Sequence, residues 1–230
     1  LLLLPHGVEG RNDAAPRPVA QRGPLAADEV NNINVFKTTS PSVVHITTLQ
    51  NQRDFFSRNV SQVPSGTGTG FVWDADGHIV TNYHVIQGAN AARVTLADQS
   101  DWPAQLVGAF PDRDLAVLRI DAPAAKLKAI AVGQSGNLLV GQKVYAIGNP
   151  FGLGGTVTAG IVSARGRDIG AGPYDDFLQI DAPVNKGNSG GPTFDVDGNV
   201  IGVNTAIFSP SGGSVGIAFA IPSETVKTVV

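Results

Sequence analysis

The segment VNKGNSGGP, Val184 to Pro192, sets a single serine, Ser189, among Gly187, Gly190 and Gly191 with Asn188 beside it. A serine hydroxyl is barely ionised near neutral pH, so it becomes a nucleophile only when a neighbouring base takes its proton. The chain has four histidines that could serve. His6 lies in a proline-containing N-terminal stretch that fixes no geometry. His45 sits inside SVVHITTL, where a strand histidine is expected to be structural. His78 follows the Asp76-Gly77 turn and belongs to a hairpin. His84, in TNYHVI, comes where a strand pattern ends and a turn of helix could begin, a rim position suited to a cleft. Such a base needs a carboxylate to fix its tautomer and to stabilise the imidazolium. PDRDLAVLRI offers Asp112 and Asp114. Asp112, between Pro111 and Arg113, is the better turn residue, and Asp114, leading directly into an apolar strand, is the better partner for the base.

Chain order separates the hydrolase classes. Gly187 to Gly191 formally fits G-x-S-x-G, but the nucleophile elbow of that kind needs a histidine after its serine, and none follows Ser189. His84, Asp114, Ser189 is the order of chymotrypsin-type enzymes.

The elements that must position these residues are strands. Glycine (28) and proline (15) are abundant and charged residues make up 15%, which suits short strands joined by turns. Periodicity gives about eleven of them, a sandwich or barrel number: 42–49, 70–73, 78–81, 92–96, 104–107, 115–120, 143–147, 156–163, 177–180, 200–206 and 215–220. Asp28 is expected to cap a short helix carrying Val30, Ile33 and Phe36, with Ser40-Pro41 as its stop. Residues 1–27 are expected to form a flexible leader; LLLL at the start is too short to span a bilayer and could be the end of a removed signal or a chance sequence. The chain contains no methionine, so it is expected to be a processed or trimmed piece. GFVWDADGHIVTN from Gly70 resembles GPTFDVDGNVIGVN from Gly191, one copy in each half, as two similar β subdomains would require. The second copy lacks calcium-loop spacing, so both are expected to be hairpin turns.

Composition excludes other chemistries. The net charge is −3 without a long single-sign block, so neither nucleic acid nor stable membrane insertion is expected. Zero cysteines remove disulfides, thiolate metal sites and a cysteine nucleophile. GNLLVGQK misses the Walker pattern and GTGTGF lacks G-x-G-x-x-G spacing. No metal or other cofactor is expected. The Asn59 sequon carries no meaning without a glycosylating compartment.

TNYHVI, DLAVLRID, GQKVYAIGNPFGL, GNSGGP and GGSVGIAFAIP, in that order, resemble the HtrA (Deg) family of trypsin-fold serine proteases over roughly residues 30 to 230. The resemblance implies an all-β fold of two six-stranded antiparallel β-barrels with short terminal helices, the first over about 28–125 and the second over about 126–222; from the residues themselves, Ser223 is expected to cap a helix with Val226, Val229 and Val230 on one face. It implies ATP-independent endoproteolysis of unfolded or damaged polypeptides in protein quality control and a homotrimer or higher oligomer. The location implied is periplasm or cell envelope, with an organelle lumen such as the chloroplast or mitochondrial intermembrane space as the alternative. Family members usually carry C-terminal PDZ domains; none is expected in this sequence, through truncation near a domain boundary or through natural absence. A silent scaffold that only binds unfolded segments is the non-enzymatic rival.

On this resemblance Ser189 attacks, His84 moves the proton, Asp114 orients His84, and the N–H groups of Gly187 and Ser189 form the oxyanion hole. Pro183 stands where trypsin carries its acidic pocket floor, so Pro183, Val184, Asn204, Thr205, Ala206 and Ile207 are expected to shape a pocket for small aliphatic side chains. Asn188 cannot make the ion pair that locks the oxyanion loop of digestive enzymes. Activity should therefore depend on the loops 50–64, 166–176 and 208–213, with Phe55 and Phe56 as intersubunit contacts or a local anchor. Lys186 stands where the family commonly has proline, which leaves its peptide freer to rotate.

Overall fold

A computed structural model describes residues 18–53, 60–150 and 154–230. Two closed antiparallel barrels of six strands account for most of it. The first uses β1 (Val43–Arg53), β2 (Val60–Val72), β3 (His78–Thr81), β4 (Ala91–Thr95), β5 (Asp101–Phe110) and β6 (Leu115–Ile120), paired around the ring as β1-β2-β3-β6-β5-β4. The second uses β7 (Lys143–Gly148), β8 (Thr156–Arg167), β9 (Phe177–Ile180), β10 (Pro192–Phe194), β11 (Val200–Ile207) and β12 (Ala218–Pro222), paired as β10-β11-β12-β9-β8-β7. Counted from the first strand of each, the cyclic order is the same. Pairing of β1 with β4 and of β7 with β10 closes each ring, so neither barrel leaves an open edge.

Apolar side chains form three clusters. Val44, Ile46, Ile79, Val94 and Leu118 fill the first barrel, and Val144, Val162, Leu178, Ile180 and Ile201 the second. A third cluster joins Phe71, Val80 and Leu115 of the first barrel to Tyr145, Ile147, Phe194 and Val203 of the second, with Val35 and Val226 from the terminal helices. This shared cluster sets the two barrels against each other. The catalytic candidates, which lie on different barrels, depend on it for their relative placement.

The differences from the expected elements have local causes. Strand β2 begins well before Gly70, because SGTGTG contains too little apolar side chain to show period two yet pairs with β1 from Gly66 onward, after a register shift that leaves Ser65 out. Strand β10 is three residues long and starts at a proline, so no alternation announces it. Strand β12 starts at Ala218 and runs through Pro222, displaced from the expected 215–220. Helix α1 (Ala27–Thr39) starts after Ala26, and Asp28 lies inside its first turn instead of capping it. The Glu29 carboxylate accepts the Ala26 N–H at 3.0 Å, supplying the missing acceptor at the positive end of the helix. Helix α3 (Ser223–Val229) is preceded by Pro222 as its N-cap, so Ser223 does not cap it either. The buried Ser223 hydroxyl instead donates to the Gly133 carbonyl at 2.9 Å and accepts the Ser135 N–H at 3.1 Å, tying the helix to the second barrel. Val226 is buried there.

Both Asp-x-Asp-Gly segments are hairpin turns built the same way. Asp74 Oδ1 accepts the N–H groups of Asp76 (2.9 Å) and His78 (3.2 Å), and Asp195 Oδ1 those of Asp197 (3.0 Å) and Asn199 (2.8 Å). The glycine of each has positive φ, Gly77 at 90° and Gly198 at 80°. A Cβ on Gly77 would also lie 2.1 Å from the Ile120 carbonyl oxygen, so only glycine fits. Burial alone would raise the Asp74 carboxyl, but the hydrogen bonds from His78 and Asp76 outweigh it and hold that carboxyl below its ordinary value. The two hairpins do not occupy matching places, however: one joins the second and third strands of its barrel, the other the fourth and fifth. The repeat records a shared turn chemistry; the barrels' likeness is in strand order.

Candidate active site

Strand β3 ends at Thr81, and the chain turns through Asn82 into α2 (Tyr83–Ile86), a single helical turn that lifts His84 to the surface of the first barrel. Opposite it, Pro111–Arg113 form a 3-10 turn that ends on Asp114 in left-handed backbone, φ 51° and ψ 41°. Aspartate tolerates this conformation better than most residues because its short carboxylate can bond locally. Asp112 stays in the turn, as its sequence neighbours suggested.

The unusual backbone aims the Asp114 carboxylate at His84. Oδ2 lies 2.7 Å from His84 Nδ1, and Oδ1 accepts the His84 backbone N–H at 2.9 Å. The Asp114 carbonyl accepts from Tyr83 N–H at 3.1 Å and from Asn82 Nδ2 at 2.9 Å. Four contacts thus fix the carboxylate and the ring as one unit. With Nδ1 donating to carboxylate, the lone pair of the neutral ring is on Nε2, the orientation a general base needs. A further donor comes from the second barrel. The pairing of β11 with β12 shifts register between Asn204 and Ala206, and the bulge at Thr205 turns its hydroxyl to donate to Asp114 Oδ2.

Ser189 belongs to two successive turns. Asn188 N–H donates to Asn185 O at 3.0 Å around Lys186-Gly187, and Gly191 N–H to Asn188 O at 3.0 Å around Ser189-Gly190. Each has a glycine with positive φ at its third position, Gly187 at 98° and Gly190 at 84°, while Lys186 and Ser189 do not have positive φ; this is the type II pattern. Neither glycine can be replaced freely. A Cβ on Gly190 would lie 2.2 Å from Thr69 O and 2.3 Å from Thr81 Oγ1. That same hypothetical atom would be 3.0 Å from Asn82 N, so the serine turn presses directly on the backbone leading to His84.

Backbone accounting then shows which peptides of the serine turn are held. The Gly187–Asn188 peptide is held at both ends: its C=O accepts the Thr69 hydroxyl at 2.6 Å and its N–H bonds Asn185. The Ser189–Gly190 peptide is also held, with Thr69 N–H on its C=O at 2.9 Å and Asn204 O on its N–H at 2.8 Å. The N–H groups of Gly187 and Ser189 have no partner among the described residues. They are the donors available to an oxyanion. Among the described residues both hydrogen bonds of His84 go to Asp114, and none reaches Ser189; such a contact commonly tightens only with substrate bound.

The other expected pocket residues are spread around this centre. Pro183 is exposed, and its carbonyl accepts from Thr158 Oγ1 at 2.8 Å. Val184 is buried in the second-barrel cluster. Asn204 is fully buried, and its side chain accepts from Thr193 at 2.7 Å. Thr205 faces Asp114, while Ala206 and Ile207 are half-buried at the end of β11. His45 is buried with Nδ1 2.9 Å from the Asn149 carbonyl, the structural place expected for it. Asn188 is 6% exposed, lies against Gly148, and leaves Oδ1 without a partner among the described residues. A cavity of about 1030 Å³ opens elsewhere, beside β5, β6 and α3, and none of His84, Asp114 or Ser189 lines it.

Among the described residues, one of the expected loops and a residue bordering a second touch this machinery. Asn185 Oδ1, in the oxyanion turn, accepts the Ser214 N–H at 3.0 Å, next to the 208–213 segment. In the 166–176 segment the Tyr174 ring carries the Arg113 guanidinium 4.5 Å above it, one residue from Asp114. Phe55, Phe56 and Asn59 lie outside the described residues. Sequence reasoning did not find Thr69, Asn82 or the Thr205–Asp114 contact.

Residues 68–203 match the trypsin-like peptidase domain. The chain is 54% identical over 210 residues to "Protease Do-like 1, chloroplastic" of Arabidopsis thaliana, covering 90% of this chain and 48% of that protein. It is 65% identical over 167 residues to a "Probable periplasmic serine endoprotease DegP-like" of Brucella suis, covering 73% and 33%. It therefore spans half or less of these relatives' length. Among solved structures, "HtrA-type protease AlgW with decapeptide" superposes with a TM-score of 0.78 at 42% identity, over 86% of this chain and 65% of that one. "Crystal structure of Deg5" gives 0.72 at 40% identity over 89% and 94%. With a trypsin-like domain matched over most of both barrels and HtrA-type chains alike in sequence and fold, the chain belongs to the trypsin-like peptidases, in their HtrA (Deg) family.

Proposed function

We propose that this chain is the proteolytic domain of an ATP-independent serine endopeptidase that cuts unfolded or damaged polypeptides. The observation that carries the reading is the pairing of a locked His84–Asp114 unit with a serine turn in which the N–H groups of Gly187 and Ser189, on either side of the held Gly187–Asn188 peptide, have no partner among the described residues. Ser189 Oγ attacks the peptide carbonyl while His84 Nε2 accepts its proton. Asp114, with Thr205 donating to the same Oδ2 that faces His84, stabilises the imidazolium. The carbonyl oxygen gathers negative charge between the two free N–H groups, each such donor being worth roughly 2.7–4 kcal/mol in the transition state. His84 then gives its proton to the leaving amine, and water repeats the sequence on the acyl-enzyme.

A preference for small aliphatic side chains is supported by Pro183, which stands where trypsin carries an acid, and by the uncharged Ala206 and Ile207, which offer none to a Lys or Arg. Quality control outside the cytosol fits the relatives, one named chloroplastic and the other periplasmic. Periplasm or cell envelope is proposed first and an organelle lumen second, with assembly as a homotrimer or higher oligomer. No helix among the described residues is long and apolar enough to cross a membrane.

The test is digestion of a reduced, unfolded polypeptide without nucleotide, with the cut sites mapped. Cleavage after Val, Ala or Ile, abolished by Ser189→Ala, is expected. Cleavage mainly after Arg or Lys would overturn the specificity, and equal cleavage by Ser189→Ala would overturn the mechanism.

A further inference from the structure

We propose that Thr69 is a positioning residue that holds the oxyanion-binding peptides of the opposite barrel in their working orientation. The proposal rests on the reading of Gly187 and Ser189 as oxyanion donors.

Thr69 lies on β2 of the first barrel, fully buried at the junction with the second. Its hydroxyl donates to the Gly187 carbonyl at 2.6 Å and accepts the Asn149 N–H at 3.0 Å. Its backbone N–H donates to the Ser189 carbonyl at 2.9 Å, and its carbonyl accepts the Thr81 hydroxyl at 2.7 Å. One residue therefore grips the serine turn at two carbonyls and the strand leading to His84 at a third point. The Gly187–Asn188 peptide sits between the two oxyanion donors, so rotating it swings both neighbouring N–H groups. The Thr69 hydroxyl and Asn185 are what hold that peptide.

Deleting the hydroxyl strands two buried groups at once, the Gly187 carbonyl and the Asn149 N–H. A buried polar group without a partner is costly, so the peptide is driven to turn toward another donor and the oxyanion site is lost with it. The backbone contact cannot compensate, because it holds the next peptide but one. Valine keeps the shape and β-propensity of threonine without its hydroxyl, whereas serine keeps the hydroxyl.

The experiment compares wild type, Thr69→Val and Thr69→Ser in peptide hydrolysis, in inhibition by a peptide boronate that forms a tetrahedral serine adduct, and in thermal melting. Loss of one oxyanion donor costs about 10²–10³ in kcat, and a mispositioned pair is expected to cost roughly 10–10². Thr69→Val should lose that much kcat with KM within about twofold, bind the boronate weaker by a similar factor, and be rescued by Thr69→Ser. Wild-type kcat in Thr69→Val, an equal loss in Thr69→Ser, or unchanged boronate affinity beside a lowered kcat would each overturn the proposal. If Thr69→Val does not fold, Thr69→Cys replaces it, its weakly donating thiol expected to fall between the other two; an activity at or above that of Thr69→Ser overturns the role. An inactive wild type that forms no boronate adduct would sink the protease reading itself, an outcome distinct from an active wild type indifferent to Thr69.

Discussion

Asp114 shows how much a single residue is asked to do. It accepts left-handed backbone, receives hydrogen bonds on both carboxylate oxygens, and offers its carbonyl to Asn82 and Tyr83. Asparagine tolerates the same backbone, so Asp114→Asn should fold normally. Its amide cannot accept from His84 Nδ1–H through the –NH₂ end, and the ring is turned to the wrong tautomer. A fall in kcat of roughly 10⁴-fold with little change in melting temperature is expected from steady-state kinetics and thermal denaturation. A large loss of stability would show that the carboxylate is a structural cap instead. His84, Asp114 and Ser189 could be proposed from sequence because His84 and Asp114 sit where strand patterns end and begin, Ser189 stands alone among glycines, and their order excludes other hydrolases. Thr69 could not, since its partner Gly187 is 118 residues away and only the packing of one barrel on the other brings them together. GTGTGF carries no mark of that contact.

At the scale of the element, the serine turn is uneven in how firmly it is held. Both ends of the Gly187–Asn188 and Ser189–Gly190 peptides are bonded, yet among the described residues the Lys186–Gly187 peptide has neither its C=O nor its N–H engaged. Lys186 occupies the second position of a type II turn, where proline is favoured. Its own N–H has no partner among the described residues, so Lys186→Pro sacrifices no hydrogen bond. Fixing φ there is worth about 0.4–1 kcal/mol, which converts to a two- to five-fold gain in basal turnover if that peptide limits the active population. Unchanged kcat on a chromogenic peptide would show that this peptide is already ordered. Asn185 and Arg113 carry the same logic outward, since Asn185 bonds Ser214 beside the 208–213 segment and Arg113 lies over Tyr174 of the 166–176 segment. Most strands were readable from period two, whereas β10 and the early part of β2 were not, because proline, glycine and threonine pair well without alternating in polarity.

Across the whole molecule, the proposed base and its carboxylate lie on one barrel and the proposed nucleophile follows strands of the other, two barrels of the same strand order joined by the cluster of Phe71, Val80, Leu115, Tyr145, Ile147 and Phe194. The fold was legible because turn signals recur at short intervals and resemblance supplied the closure of each sheet; the repeated hairpin pointed to the right number of halves for a reason that the strand order does not share. What periodicity could not give was the junction, where the site is made. The central claim is that His84, held by Asp114, activates Ser189 across that junction. Intact mass measurement after treatment with a fluorophosphonate tests it most directly. One adduct per chain, mapped to Ser189, formed by wild type and slowed by orders of magnitude in His84→Ala, is the predicted result; no adduct on Ser189, or one that forms equally fast without His84, would contradict it.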